Sequence, residues 1–241
     1  MKRQILIALI VIAILALVFV GVYLMPPQAS WDTSPETLII AVKYYGEVDY
    51  NYIPFAQIWG NGHVIWVEHT STGTRQVLEG YLSHEVMTDL VYKIIDLGFF
   101  NGYRIPNIDL FTGDYLEVNL SGARHEGEID AKNKALSEVV GFLRSGAGVK
   151  GTEFLPTSAR LLAYPVEEVG IPASTIAHYQ WPSEKYGHDL ESVYTHKPYN
   201  EINIYGDELV FAWEIVNSSN PVVESNGKKY WIAVIIPGVS L

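Results

Sequence analysis

The chain of 241 residues contains no cysteine. That excludes disulfides, thiolate metal sites, a cysteine nucleophile and a lipid-modified cysteine, so a domain built here must stand on its packed core alone. Positive charge is scarce too, with 16 Lys and Arg against 27 Asp and Glu and a net charge of −11. A nucleic-acid partner needs a basic stripe; there is none, and no such partner is expected. The acidity reads as a solvated surface. Also missing are a G-x-S-x-G elbow, an H-E-x-x-H pair, a P-loop, a kinase motif set and an EF-hand loop. No catalytic residue, metal or cofactor is therefore assigned.

What is present begins with one long apolar run. "ILIALIVIAILALVFVGVYLM", Ile5 to Met25, carries no charge. At ~1.5 Å per residue it matches a hydrocarbon core of roughly 30 Å, whereas the apolar part of a cleaved signal peptide is usually only ~7–15 residues. Lys2 and Arg3 precede it, which the positive-inside rule keeps cytoplasmic. The expectation is a single-pass membrane anchor over residues 1–25. A linker follows over 26–37, "PPQASWDTSPET", and an extracytoplasmic domain over 38–241.

Along that domain the periodicity changes repeatedly. "TLIIAVKYY" reads as a strand. "WGNGHVIW" lacks the third glycine and the following helix of a dinucleotide loop, so Asn61-Gly62 is expected at a hairpin turn with positive φ. His63 then falls on an exposed position. "YLSHEVMTDLVYKIIDLGFF" predicts a helix capped by Ser83, stapled by Leu82 and Met87, and stopped at Gly98. Val86, Leu90, Ile94 and Leu97 form its expected buried stripe. "GDYLEVNLSGARHEGEID" predicts a hairpin turning at Ser121-Gly122. "KNKALSEVVGFLRSG" predicts a helix burying Leu136, Val139, Val140 and Leu143. "SARLLAYPV" is a further strand. "GDELVFAWEIVN" fits a helix with Leu209, Ala212, Trp213 and Val216 inward, or the return strand of a hairpin with "INIY"; helix is the preferred reading. A last hairpin turns at Asn226-Gly227. The expected class is α+β: an antiparallel β-sheet with a few amphipathic helices packed on it, preceded by one transmembrane helix.

Chemistry-bearing groups are few. Glu126, Glu128 and Asp130 alternate along one strand face, which suits a solvated surface better than a cation site. "YGHDLESVYTH" places His188, Asp189, Glu191 and His196 close together in sequence, but their spacing matches no established ligand set. Asn119 and Asn217 open glycan-acceptor triplets. Residues 165–204 lack a clear period and hold four prolines with Tyr179, Trp181, Tyr186, Tyr194 and Tyr199. Long irregular segments are commonly functional or disordered, and the aromatics argue against disorder. The bland expectation is an ordered flap packed on the sheet. The sharper one leaves Trp181 and Tyr186 partly exposed as partner contacts.

"IPFAQIWGNGHVIW", "GYLSHEVMTDLVYKIIDLGFF" and the closing "NGKKYWIAVIIPGVSL" resemble an uncharacterised group of exported or membrane-anchored bacterial proteins. These share a strand, a G-[DN]-G-x-V turn, an L-[ST]-initiated amphipathic helix and a late strand ending in proline. The likeness covers about residues 38–164 and 205–238. It implies an extracytoplasmic location and carries over no catalytic residue.

The sequence thus reads as a membrane-anchored extracytoplasmic binding protein, more naturally a non-enzyme, with a protein partner; an accessory subunit of a membrane complex is one form this reading takes. The alternative is an envelope-acting hydrolase using carboxylates or a metal from residues 188–201. A third class, an envelope scaffold or sensor that binds a small ligand, requires a pocket.

Overall fold

The computed structural model describes residues 30–45, 53–71, 73–101, 113–121, 123–129, 132–196 and 201–240. Strands β1 (Leu38–Tyr45), β2 (Ala56–Trp59), β3 (His63–His69) and β4 (Arg75–Tyr81) lead into helix α1 (His84–Asp96). Next come β5 (Gly113–Leu120), β6 (Ala123–Glu128), α2 (Lys134–Arg144) and a 3-10 turn at Gly146–Gly148. The second half runs β7 (Thr152–Glu153), β8 (Ala159–Pro165), β9 (Tyr179–Gln180), α3 (Ser183–Tyr186) and α4 (Leu190–Thr195). It closes with β10 (Glu201–Ile204), α5 (Gly206–Val216), β11 (Val222–Ser225) and β12 (Lys228–Ile235).

These strands form two sheets rather than the single one expected. A seven-stranded sheet has the order β6-β5-β1-β2-β3-β4-β7, and a five-stranded sheet the order β10-β8-β12-β11-β9. Pairing is antiparallel except between β9 and β11, which run parallel. Side-chain alternation on β3 shows how the layers divide. Val64 and Trp66 join a core with Met87, Leu90, Val91, Ile94 and Ile95 of α1 and the predicted stripe of α2, Leu136, Val139, Val140 and Leu143. Ile65 and Val67 point the other way, into a core shared with α5 and with Leu161, Ala163, Ile232 and Val234 of the smaller sheet. Both faces of β3 are therefore buried, because helices cover one side of the larger sheet and the second half of the chain covers the other. Of the expected α1 stripe Leu90 and Ile94 are buried, but Val86 is 38% exposed, and Met87, Val91 and Ile95 complete the buried face. Ser83 caps α1 by accepting from Val86 N, and Gly98 follows it at φ 76°, both as the sequence predicts.

The expected transmembrane helix requires correction. Among the described residues no helix is long and apolar enough to cross a membrane. The longest described helix has 13 residues, and at ~1.5 Å each this falls well short of a ~30 Å core. Ile5–Met25, where the anchor was expected, lies outside the described residues. Single-pass topology, a membrane partner and an extracytoplasmic location accordingly have no support in the structure, and neither reading built on them, the anchored binding protein or the envelope hydrolase, is carried further.

The opening motif folds into a hairpin turn, but only Gly62 takes positive φ, at 84°. Gly62 N donates to Trp59 O at 2.9 Å, so Gly60 and Asn61 are the central residues and Gly62 adds the left-handed step of a bulged turn. Asn61 instead accepts from His63 N through Oδ1 at 3.0 Å. Gly60 is required for a different reason, since a Cβ there would lie 1.9 Å from Asp32 O. Of the other two predicted turns, Ser121-Gly122 includes a residue outside the described ones; at the last turn both residues are left-handed, Asn226 at φ 51° and Gly227 at φ 76°, the geometry of a two-residue type I′ loop.

Candidate functional site

The turn at Asn226-Gly227 joins β11 to β12 and gathers a cluster of polar groups. Helix α4 docks against it by its first turn. Asp189 caps α4 by accepting from Ser192 N at 2.8 Å, and its second oxygen accepts from Asn226 Nδ2 at 2.8 Å. The buried Ser225 Oγ accepts from Leu190 N at 3.2 Å. Glu191 Oε2 accepts from Lys228 Nζ at 2.8 Å and also from the Tyr230 hydroxyl. Lys228 and Tyr230 share a strand face, which brings both to one carboxylate.

Glu191, Lys228 and Tyr230 form one wall of a cavity of about 480 Å³, completed by Pro165, Glu167, Ala173, Gly227 and Lys229. Lys229 Nζ donates to Ala173 O and Thr175 O, each at 2.8 Å, and so fastens the loop after β8 over the cavity. A second, open depression of about 610 Å³ lies beyond Asn226, lined by Trp181, Pro182, Ser183, Glu184 and Lys185.

The charge states are well set. Bonds from Lys228 and then Tyr230 hold the Glu191 carboxyl below its ordinary value. The backbone N–H of Ser192 does the same for Asp189. Burial, then the bond to Glu191, pushes the Tyr230 phenol far up, so it remains a donor throughout the physiological range. Glu191 raises Lys228 in turn. Among these groups, Glu191, Lys228 and Tyr230 thus present donors and acceptors of both signs on the wall, with protonation states set by their own contacts.

The remaining candidates take structural places. Trp181 is only 2% exposed. Its Nε1 donates to His188 O at 3.2 Å, and its ring meets Tyr186 edge-on at 5.4 Å and Phe211 at 5.9 Å. Tyr186 is half-buried against the same core, and its hydroxyl donates to Asp207 O at 3.4 Å. The expectation of Trp181 as a free partner contact is corrected on this ground, because a ring committed to the core cannot be offered to a second protein. The protein partner loses its leading anchor with it.

His188 Nε2 lies 2.8 Å from Glu208 Oε1 on α5, whereas Asp189 and Glu191 bond to the β11–β12 hairpin. Burial pushes the Glu208 carboxyl up, against the pull of His188. His196 sits at the far end of α4, and residues 197–200 lie outside the described residues. Among the described residues no three His, Asp or Glu side chains gather as a metal site. Glu126 stands 3.5 Å from Lys43 Nζ, and Asp130 lies outside the described residues. Asn119 Nδ2 donates to Leu38 O and Glu117 within the larger sheet, and the buried Asn217 ends α5, so both triplets are built into the fold. His63 is not free at the surface: it stacks between Trp59 at 5.3 Å and Tyr81 at 5.0 Å and pairs with Glu79 at 2.9 Å.

Sequence reasoning missed Glu167, Lys228, Lys229 and Tyr230. The available signal was the period-2 spacing of Lys228 and Tyr230 just after a turn; their carboxylate partner, 37 and 39 positions away, had no local signature. No known protein family, no curated protein and no solved structure matches this chain.

Proposed function

We propose that this chain is a ligand-binding domain whose cavity between the β11–β12 hairpin, α4 and the loop after β8 receives a small zwitterionic or polyhydroxylated molecule. The observation that carries the reading is the Lys228–Glu191–Tyr230 array fixed on the cavity wall. The volume of about 480 Å³ falls within the roughly 300–1,000 Å³ usual for small-molecule sites. Two lysines and two glutamates line it, so the wall is balanced in charge and favours a ligand carrying both signs or many hydroxyls over a simple anion or cation.

Amide NMR of the full chain, titrated with free amino acids and with monosaccharides, tests this. Shift changes should gather at residues 165–175, 189–192 and 226–230 and disappear in Lys228→Met, with an unchanged melting temperature. Lys228 is 66% exposed along its side chain, so its loss leaves the fold intact. No response to either class at high millimolar concentration, or changes scattered over the surface, overturns the reading.

A further inference from the structure

The chain contains three Asn-Gly pairs, at 61–62, 101–102 and 226–227; Gly102 lies outside the described residues. In such a pair the backbone nitrogen of the glycine can attack the asparagine side-chain carbonyl, since no Cβ obstructs the approach. From the structure we infer that Asn226 is a site of spontaneous deamidation, that Asn61 is protected from it, and that the conversion loosens α4 from the β11–β12 hairpin. This inference is independent of the ligand reading above.

The two hairpins share the dipeptide and differ in what surrounds the attacking nitrogen. Gly62 is buried. Its N–H is bonded to Trp59 O at 2.9 Å, its own carbonyl accepts from Leu82 N at 2.9 Å, and its Cα faces Leu82 O so closely that a Cβ would sit 2.4 Å away. Rotation of that peptide therefore breaks the turn and its tie to Leu82 together. Gly227 is exposed, and nothing lies within 4 Å of the position a Cβ would take. It is the second residue of a two-residue loop, so its N–H lies outside the strand ladder. The Asn226 side chain is restrained by a single exposed bond, Nδ2 to Asp189 Oδ2 at 2.8 Å.

The chemistry balances with water as co-reactant. Gly227 N loses its proton to solvent and bonds to Asn226 Cγ; the Cγ–Nδ2 bond breaks and the amide nitrogen, taking a proton back from solvent, leaves as ammonia, giving a succinimide. Water then opens the ring at either carbonyl, yielding aspartate or isoaspartate. Both products replace the donor to Asp189 by a carboxylate, so an attractive contact at the cap of α4 becomes a like-charge one. Isoaspartate also lengthens the chain within a loop that tolerates only two residues.

The test is incubation of the full chain in mildly alkaline, ammonia-free buffer, with peptide mapping by mass spectrometry over time. The Asn226 peptide should convert to a mixture richer in isoaspartate than aspartate. It should outpace the Asn61 peptide by about tenfold or more, the factor that about 1.4 kcal/mol of added opening cost produces. Equal or faster conversion at Asn61, or no conversion at Asn226 while the urea-unfolded chain converts there, overturns the site. Hydrogen exchange reads the consequence: protection over 189–195 should fall in aged protein and stay constant during the same incubation of Asn226→Gln. Unchanged protection once Asn226 has converted overturns the link to α4.

Discussion

Two glycine-to-alanine substitutions should move the stability of this protein in opposite directions, and the structure supplies both signs. Gly151 lies against the indole of Trp66, which is 1% exposed. A Cβ at 151 would stand 2.3 Å from Cη2, 2.6 Å from Cζ2 and 3.1 Å from the Leu78 Cβ. The ring is held from further sides: Gly146 also packs on it, where a Cβ would lie 2.5 Å from Cε2, and its Nε1 is tied to Glu68 at 2.9 Å. Gly151→Ala therefore forces a shift of a packed tryptophan, an overpacking cost of about 1–3 kcal/mol. Gly141, exposed inside α2, has nothing within 4 Å of its Cβ position. There alanine removes backbone freedom from the unfolded chain and should stabilise by about 0.5–1 kcal/mol. At roughly 2–4 °C per kcal/mol for a chain of this size, the melting temperatures should diverge by several degrees. Urea unfolding followed by tryptophan fluorescence and circular dichroism, with the slope unchanged between variants, measures the difference. If Gly151→Ala matches or exceeds the parent, or if both variants move the same way, the tight Trp66 slot is refuted.

Two further predictions follow from buried groups. Lys43 and Glu117 pair at 2.5 Å with both side chains nearly covered, so Glu117→Gln should destabilise by about 3 kcal/mol, the low end for a broken buried pair because Glu126 still faces Lys43. Burial pushes the Glu117 carboxyl up, but bonds from Lys43 and Asn119 and the nearby Arg124 outweigh it and hold it below 4.5. The pair's stability is thus complete above the unfolded value and lost as pH falls through the folded one. Unfolding free energies measured from neutral to acid pH should show an acid loss that the Gln variant lacks, and an identical acid slope in both would contradict the assignment. Trp181→Ala should cost about 3–5 kcal/mol through lost packing and the lost bond to His188 O, visible as a fall in melting temperature; a parent-like transition would mean the ring is not part of the core.

Local signals in the sequence determined a good share of the elements. The buried face of α2 follows from the spacing of Leu136, Val139, Val140 and Leu143, and the cap at Ser83 and the stop at Gly98 follow from backbone groups that neighbours in sequence must satisfy. Asn-Gly pairs marked both turns but not their type: 226–227 takes the two left-handed positions of a two-residue loop, whereas at 61–62 only the glycine is left-handed and the turn is bulged. Only the tertiary structure decided how the strands divide into two sheets. Strand β8 pairs with β10 and β12, at separations where sequence alternation records which face is apolar but not which strand lies alongside. Tertiary packing also decided the fate of residues 165–204. Their described parts contain β9, α3, α4 and β10, elements of two to six residues, too short for a period to show. The same holds for the candidate site. Aromatic content marks Trp181 equally well as anchor or core, and burial beside Phe211 settles it. Glu191 acquires Lys228 and Tyr230 as partners only when the hairpin is laid against α4, since a long-range hydrogen bond leaves no trace in the residues on either side of it.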